Sequence, residues 1–151
     1  MEIYYMNLAN NKNFTQITGQ ELQLKQMLQS EGVSFHFQKV FTLPDCQYVV
    51  DFFLPNQTIL ECSSTSMLKY QIPIRKKAIH LESKSAHLRK YFSALSILVL
   101  FESPQPILEP FYQTLIRLMP SVDDIFFSHE ELLEHLRRCF TLTSKHFEVI
   151  P

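Results

Sequence analysis

With 151 residues, 46% of them apolar and 19% charged, the chain has the size and composition of a folded domain with a sizeable core, which excludes a disordered segment. Only two glycines occur, Gly19 and Gly32, so neither a GxGxxG nor a GxxxxGK[ST] phosphate loop can be written, and the common dinucleotide and P-loop functions fall away. The net charge of −1 excludes a generic polyanion binder, yet the charges are segregated along the chain. Residues 67–90 carry Lys69, Arg75, Lys76, Lys77, Lys84, Arg89 and Lys90 against Glu82 alone. Residues 101–135 carry Glu102, Glu109, Asp123, Asp124, Glu130, Glu131 and Glu134 against Arg117 alone. Such a split gives a basic middle able to meet phosphates and an acidic C-terminal half suited to a protein partner.

In chain order, residues 2–7 fit a strand or a helix equally. A first helix begins at Thr18, with Glu21 at the capping-box spacing, and carries Leu22, Met27 and Leu28 to a stop at Gly32. Val33, Phe35 and Phe37 then alternate with Ser34, His36 and Gln38, a half-buried strand. After a turn at Leu43-Pro44-Asp45, a second strand spans 47–54 and a third 58–62. The short connection 55–57 makes these two a hairpin. A second helix starts near Pro73, with Ile74, Ala78, Leu81, Ser85 and Leu88 at helical spacing. The apolar run 95–101 reads as a strand buried on both faces. A helix after Pro106, a short segment at Ile125–Phe127 and a helix capped by Ser128 with Glu131 complete the chain. With no repeat or linker, the expected organisation is one α/β domain, residues 1–151. Its core runs over about 18–102 in the order α-β-β-β-α-β around a mixed sheet, and 103–151 form a helical C-terminal extension.

Two residues stand out chemically. Asp51 sits inside Tyr48-Val49-Val50-Asp51-Phe52-Phe53-Leu54, and Glu61 follows Thr58-Ile59-Leu60 on the next strand. A carboxylate in such surroundings is costly to bury unless something pairs with it. Two of them on adjacent strands repel, and one stays protonated unless a cation intervenes. Hard oxygen donors suit Mg²⁺ or Mn²⁺. Each carboxylate has plainer readings, as a sheet-edge carboxylate or as half of a buried ion pair with Lys77 or Arg75.

The pattern Asp51-x9-Glu61-x-Ser63, on a hairpin preceded by a helix bearing Glu21 and followed by an amphipathic helix and an apolar strand, resembles the PD-(D/E)xK, or restriction-endonuclease-like, nuclease superfamily. Val50-Asp51-Phe52-Phe53-Leu54-Pro55 with Ile59-Leu60-Glu61 is most similar to the subgroup related to very-short-patch-repair endonucleases. The resemblance covers about residues 18–102. It implies that Asp51 and Glu61 hold a divalent metal that activates water for attack on a DNA phosphodiester, with Glu21 orienting the ion or a water. The lysine of the family pattern should stand at Ser63, and the stretch Cys62-Ser63-Ser64-Thr65-Ser66 has no basic residue. A lysine supplied by a neighbouring element is the remedy found in some members. Lys77 and Lys84 border the apolar stripe of the second helix. Lys77, nearer the helix start, is the first candidate and Lys39 the second.

Two functions therefore stand as expectations. One is a metal-dependent endonuclease whose catalytic set is Asp51, Glu61, Ser63, Lys77 and Glu21, with Lys69, Arg75, Lys76, Lys84, Arg89 and Lys90 contacting nucleic acid. The other is an inactive nuclease-fold scaffold that binds nucleic acid or a protein. Glu21 has a competing purpose as a capping residue, and His80 and His87 read as surface histidines facing solvent or phosphates. Cys46, Cys62 and Cys139 are odd in number and lack CxxC spacing, so reduced thiols of a cytoplasmic protein are expected, without disulfides or a zinc site. No signal-peptide pattern and no span long enough for a bilayer is seen. A homodimer, or a protein partner on the acidic half, completes the expected partners.

Overall fold

The computed structural model describes residues 19–64, 71–102 and 109–149. The expected N-cap Thr18, the segment 2–7, Lys69 and the helix start at Pro106 lie outside these residues. Helix α1 (Gly19–Ser30) leads into strands β1 (His36–Thr42), β2 (Gln47–Leu54) and β3 (Thr58–Ser64). Helix α2 (Gln71–Tyr91), strand β4 (Ser96–Glu102), helix α3 (Glu109–Leu118), strand β5 (Asp124–Phe126) and helix α4 (His129–Val149) follow. The five strands form one mixed sheet in the order β1-β2-β3-β4-β5. The first three are antiparallel, whereas β3–β4 and β4–β5 run parallel. The expected α/β class and the parallel pairing across α2 are both present. The residues after 102 are more than a helical extension, because β5 joins the sheet beside β4.

Adjacent side chains along the inner strands divide the core between two faces. Leu60, Leu98 and Leu100 pack with Leu24 and Leu28 of α1 and Leu132 and Leu136 of α4. Ile59, Ile97, Val99 and Phe101 face the other way, towards α2 and α3. Fully burying a leucine contributes about 1.5–3 kcal/mol, so Leu24 and Leu28, both fully buried, with Met27 packed beside them, seat α1 on the sheet. That helix ends as its sequence suggests. Gly32 takes φ +72° while its amide donates to Gln29 O, and the Val33 amide donates to Leu28 O. This is the paired C-terminal closure that a left-handed glycine permits. At the other end of the chain Ser128 caps α4, its Oγ accepting from the Glu131 amide at 3.2 Å.

β1 differs from expectation. The strand starts at His36 rather than Val33 and runs on to Thr42. Its alternation breaks at Gln38, which is buried with φ +55°. Phe37 therefore packs towards α1, against Phe52 at 5.2 Å, whereas Phe41 packs on the α2 side. The neighbouring β2 changes face at the same level: Val50 belongs to the α2 side and Phe52 to the α1 side. The residue between them is Asp51.

Two more non-glycine residues adopt positive φ in the β2–β3 turn, Asn56 (59°) and Gln57 (54°). Asparagine tolerates this conformation better than glutamine does. Gln57→Gly is expected to raise stability by about 0.5–1 kcal/mol, because relief of left-handed strain exceeds the added chain entropy of glycine. Urea unfolding of wild type and variant measures it, and an unchanged or lower midpoint would contradict the strain.

Candidate active site

β2 and β3 pair regularly from the turn as far as Phe52 opposite Leu60. The next residues on each strand are Asp51 and Glu61, and there the ladder passes to side chains. The Asp51 amide donates to Glu61 Oε2 at 3.1 Å, and the Cys62 amide donates to Asp51 Oδ2 at 2.9 Å. Each carboxylate thus takes up a backbone donor that would otherwise be orphaned, at a site where an unsatisfied amide would cost about 1–3 kcal/mol. The hairpin opens by the depth of a carboxylate, and the two acids are brought together by that opening.

Across the sheet face, Lys84 of α2 forms an ion pair with Glu61 Oε1 and donates to Val49 O at 2.6 Å. Both members of the pair are buried, with Lys84 4% and Glu61 6% exposed. Ile74, Ala78 and Leu81 anchor the helix before Lys84 in one apolar cluster, and Leu88 anchors it beyond in another. The ammonium therefore enters the sheet between two patches of hydrophobic packing. Removing one partner of such a pair leaves an uncompensated buried charge.

Asp51 is held well above the usual carboxylate range. Loss of hydration is the main cause, followed by the charge of Glu61 and a hydrogen bond with it, opposed by Lys84 and reinforced by Glu21. Glu21, half-buried on α1, is thus within electrostatic reach of the pair. The Cys62 thiol is also pushed well up, by burial first and then by Asp51, Glu21 and Glu61. It therefore favours the protonated thiol near neutrality. Ser63, in the position where the resemblance calls for a lysine, is 4% exposed, and its Oγ has no hydrogen-bond partner among the described residues. Its carbonyl accepts from Gln20 Nε2 at 2.9 Å, which ties the start of α1 to the end of β3.

The structure brings together Asp51, Glu61, Glu21 and the Ser63 segment, and it adds Lys84. Lys77 is exposed on α2, and Lys39 is exposed on β1. The lysine beside Glu61 is Lys84, expected from the sequence among the nucleic-acid contacts; its burial removes it from the outer face. Lys77, between Ile74 and Leu81, and Lys84, between Leu81 and Leu88, hold equivalent places on the apolar stripe, and it is the seating of α2 on the sheet that buries Lys84 and leaves Lys77 exposed. Arg89 is also committed elsewhere. It donates to Ser121 O and Leu95 O, both at 2.7 Å, and pairs with Asp123. Of the expected phosphate contacts within the described residues, Arg75, Lys76 and Lys90 are exposed on α2. Gln38, on β1 between the residues paired with Phe52 and Val50, is not marked by the sequence; a glutamine closing the Phe35–Phe37 alternation gives no sign of a left-handed backbone.

A divalent cation fits this set on chemical grounds. Two carboxyl groups in contact, with Asp51 raised first by burial and then by the charge of Glu61, are the arrangement a hard cation relieves, and the buried Ser63 hydroxyl offers a further oxygen nearby. Comparison with protein-family profiles, curated proteins and solved structures finds no match.

The raised Asp51 value fixes the sign of a pH effect. The folded chain holds this proton more tightly than the unfolded chain. Its contribution to stability is complete below the usual carboxylate range and is lost as pH rises through the raised value. Asp51→Asn keeps an acceptor for the Cys62 amide and cannot ionise. Without divalent cations it is expected to be more stable than wild type above neutrality, with the difference shrinking in acid. Urea midpoints across pH test this, and a variant less stable than wild type in alkali would rule out the strained carboxyl.

Proposed function

We propose that the chain is a divalent-metal-dependent nuclease of the restriction-endonuclease-like fold, acting on DNA phosphodiesters. The observation that carries this reading is the convergence of Asp51, Glu61 and Lys84 where the β2–β3 hairpin opens, in a chain whose elements run α-β-β-β-α-β up to β4. Asp51 and Glu61 are the residues to hold Mg²⁺ or Mn²⁺, with Glu21 behind them. The ion, when bound, supplies charge neutralisation at the phosphate and a more acidic water.

The chain's own groups account for the rest. Lys84 replaces the lysine absent at Ser63, reaching the same pair of acids from α2 instead of β3. Its bond to Val49 O fixes the ammonium in place, so that its charge is already oriented when negative charge grows on a phosphate. Ser63 Oγ is a hydrogen-bond partner for a water held beside Glu61. Exposed Arg75, Lys76 and Lys77 near the start of α2, with Lys90 towards its end, provide the phosphate contacts that position a strand. The acidic, exposed Glu109, Glu130, Glu131 and Glu134 on α3 and α4 would repel DNA, which leaves them for a protein partner or a second copy. Three free cysteines suit the reducing interior of a cell. Among the described residues no helix is long and apolar enough to cross a membrane.

One observation favours the alternative of an inactive scaffold. Lys84 is already paired with Glu61 and bonded to Val49, so the charge on which catalysis depends is satisfied within the protein. Nicking of supercoiled and single-stranded DNA with Mg²⁺ or Mn²⁺ separates the two readings. Activity should fall about 100-fold or more in Asp51→Ala, Glu61→Ala and Lys84→Met, within the range for loss of a preorganised charge. Equal activity in wild type and variants would dismiss the site. DNA binding without cleavage by a folded, Mn²⁺-bound wild type would establish the scaffold.

A further inference from the structure

We propose that Asp45, Cys46 and His87 form a second metal site, for a borderline-soft divalent ion such as Zn²⁺, which pins the β1–β2 turn to α2. Among the described residues they are the one trio of His, Cys, Asp or Glu side chains whose ligand atoms all lie within 4.8 Å of one another. The His87 ring stands between the two donors of the turn. Its Nε2 is 3.3 Å from Asp45 Oδ1, and its Nδ1 is 3.8 Å from Cys46 Sγ. Zinc bonds of about 2.0–2.3 Å in a tetrahedron separate neighbouring ligand atoms by about 3.3–3.8 Å. The two contacts fall on different nitrogens of the ring and only one of these can hold the ion, so one donor of the turn has to swing round the ring edge. The three ligand atoms lie within 4.8 Å of one another, and closing on zinc contracts that span by about 1 Å.

The surroundings prepare this geometry. The turn is closed by the Leu43 amide donating to Cys46 O at 2.8 Å, so Asp45 and Cys46 are presented together. The imidazole is steadied by the Tyr48 hydroxyl, 2.7 Å from Nδ1, and by the rings of Tyr48 and Tyr91. Partners of this kind set the orientation of a ligating histidine. The Asp45 side chain is 62% exposed and that of His87 23%, which leaves an entry path and room for water as a fourth ligand. Cys46 packs at the edge of the core and can hold the thiolate on the sheltered side.

The donor set separates this site from the carboxylate pair. Asp51 and Glu61 offer oxygen alone, which suits Mg²⁺ or Mn²⁺, whereas sulfur and imidazole select Zn²⁺ or Co²⁺. Nothing in the sequence spacing announced it, because the turn and the helix residue are about forty positions apart. Binding would release the Cys46 proton to solvent and would cross-link β1–β2 to the helix that carries Lys84.

Titration of the full metal-free chain with Co²⁺, in excess Mg²⁺ to occupy the carboxylate pair, tests the proposal. One equivalent should produce a thiolate-to-cobalt absorption in the near ultraviolet with the visible bands of a four-coordinate ion, and Zn²⁺ should bleach both. Cys46→Ser should abolish the charge-transfer band, and His87→Gln should weaken Co²⁺ binding by about tenfold or more. Asp51→Asn should leave the spectrum intact, so failure here is distinct from failure of the nuclease reading. Absence of the band in folded wild type overturns the site, as does a band that persists in Cys46→Ser and hence comes from Cys62 or Cys139.

Discussion

A hairpin that opens in the interior of a sheet must find partners for the backbone amides it uncouples. Here the side chains of Asp51 and Glu61 serve, each accepting from the opposite strand. The rest of the arrangement follows from that exchange. The two acids are forced into contact, one is driven towards its protonated form, and a buried cation becomes necessary on the open side. Lys84 meets that need from α2. The face change at Val50 and Phe52 and the left-handed Gln38 on β1 belong to the same distortion, since β1 must follow β2 through it.

Helix α2 is where packing and chemistry are joined. Its apolar residues divide into Ile74, Ala78 and Leu81 on one cluster and Leu88 on another, with Lys84 and Ser85 buried between them. Arg89 reaches from the end of the helix to Ser121, Leu95 and Asp123, and Asp123 in turn accepts from the Ile97 amide at 2.6 Å. Glu82 receives the Ser121 amide and hydroxyl. The loop leading to the short β5 is thus held by polar residues of the same helix that supplies the site lysine.

Much of this order is legible in the amino-acid sequence alone. The alternation and turn residues around 47–62 are local signals, and so are the Gly32 stop and the Ser128–Glu131 cap. Asp51 and Glu61 were conspicuous because charge inside an apolar strand has few structural purposes. What could not be read depended on rotation and distance. Lys77 and Lys84 lie two turns apart on the same border of one helix, and only the seating of α2 decides which meets Glu61. The start of β1 was misjudged because Val33 and Phe35 are apolar for their packing beside α1, outside the ladder. Cys46 and His87 meet through tertiary structure alone.

The firm seating of α2 at several points has a consequence for how such a chain can vary. Each residue added to or removed from a helix turns everything beyond it by about 100°. An insertion between Lys84 and Arg89 would swing either the ammonium away from Glu61 or the guanidinium away from Asp123, and no compensating shift could restore both. This stretch behaves as a fixed gauge whose length is as constrained as its chemistry, and drift in chain length has to be absorbed outside it.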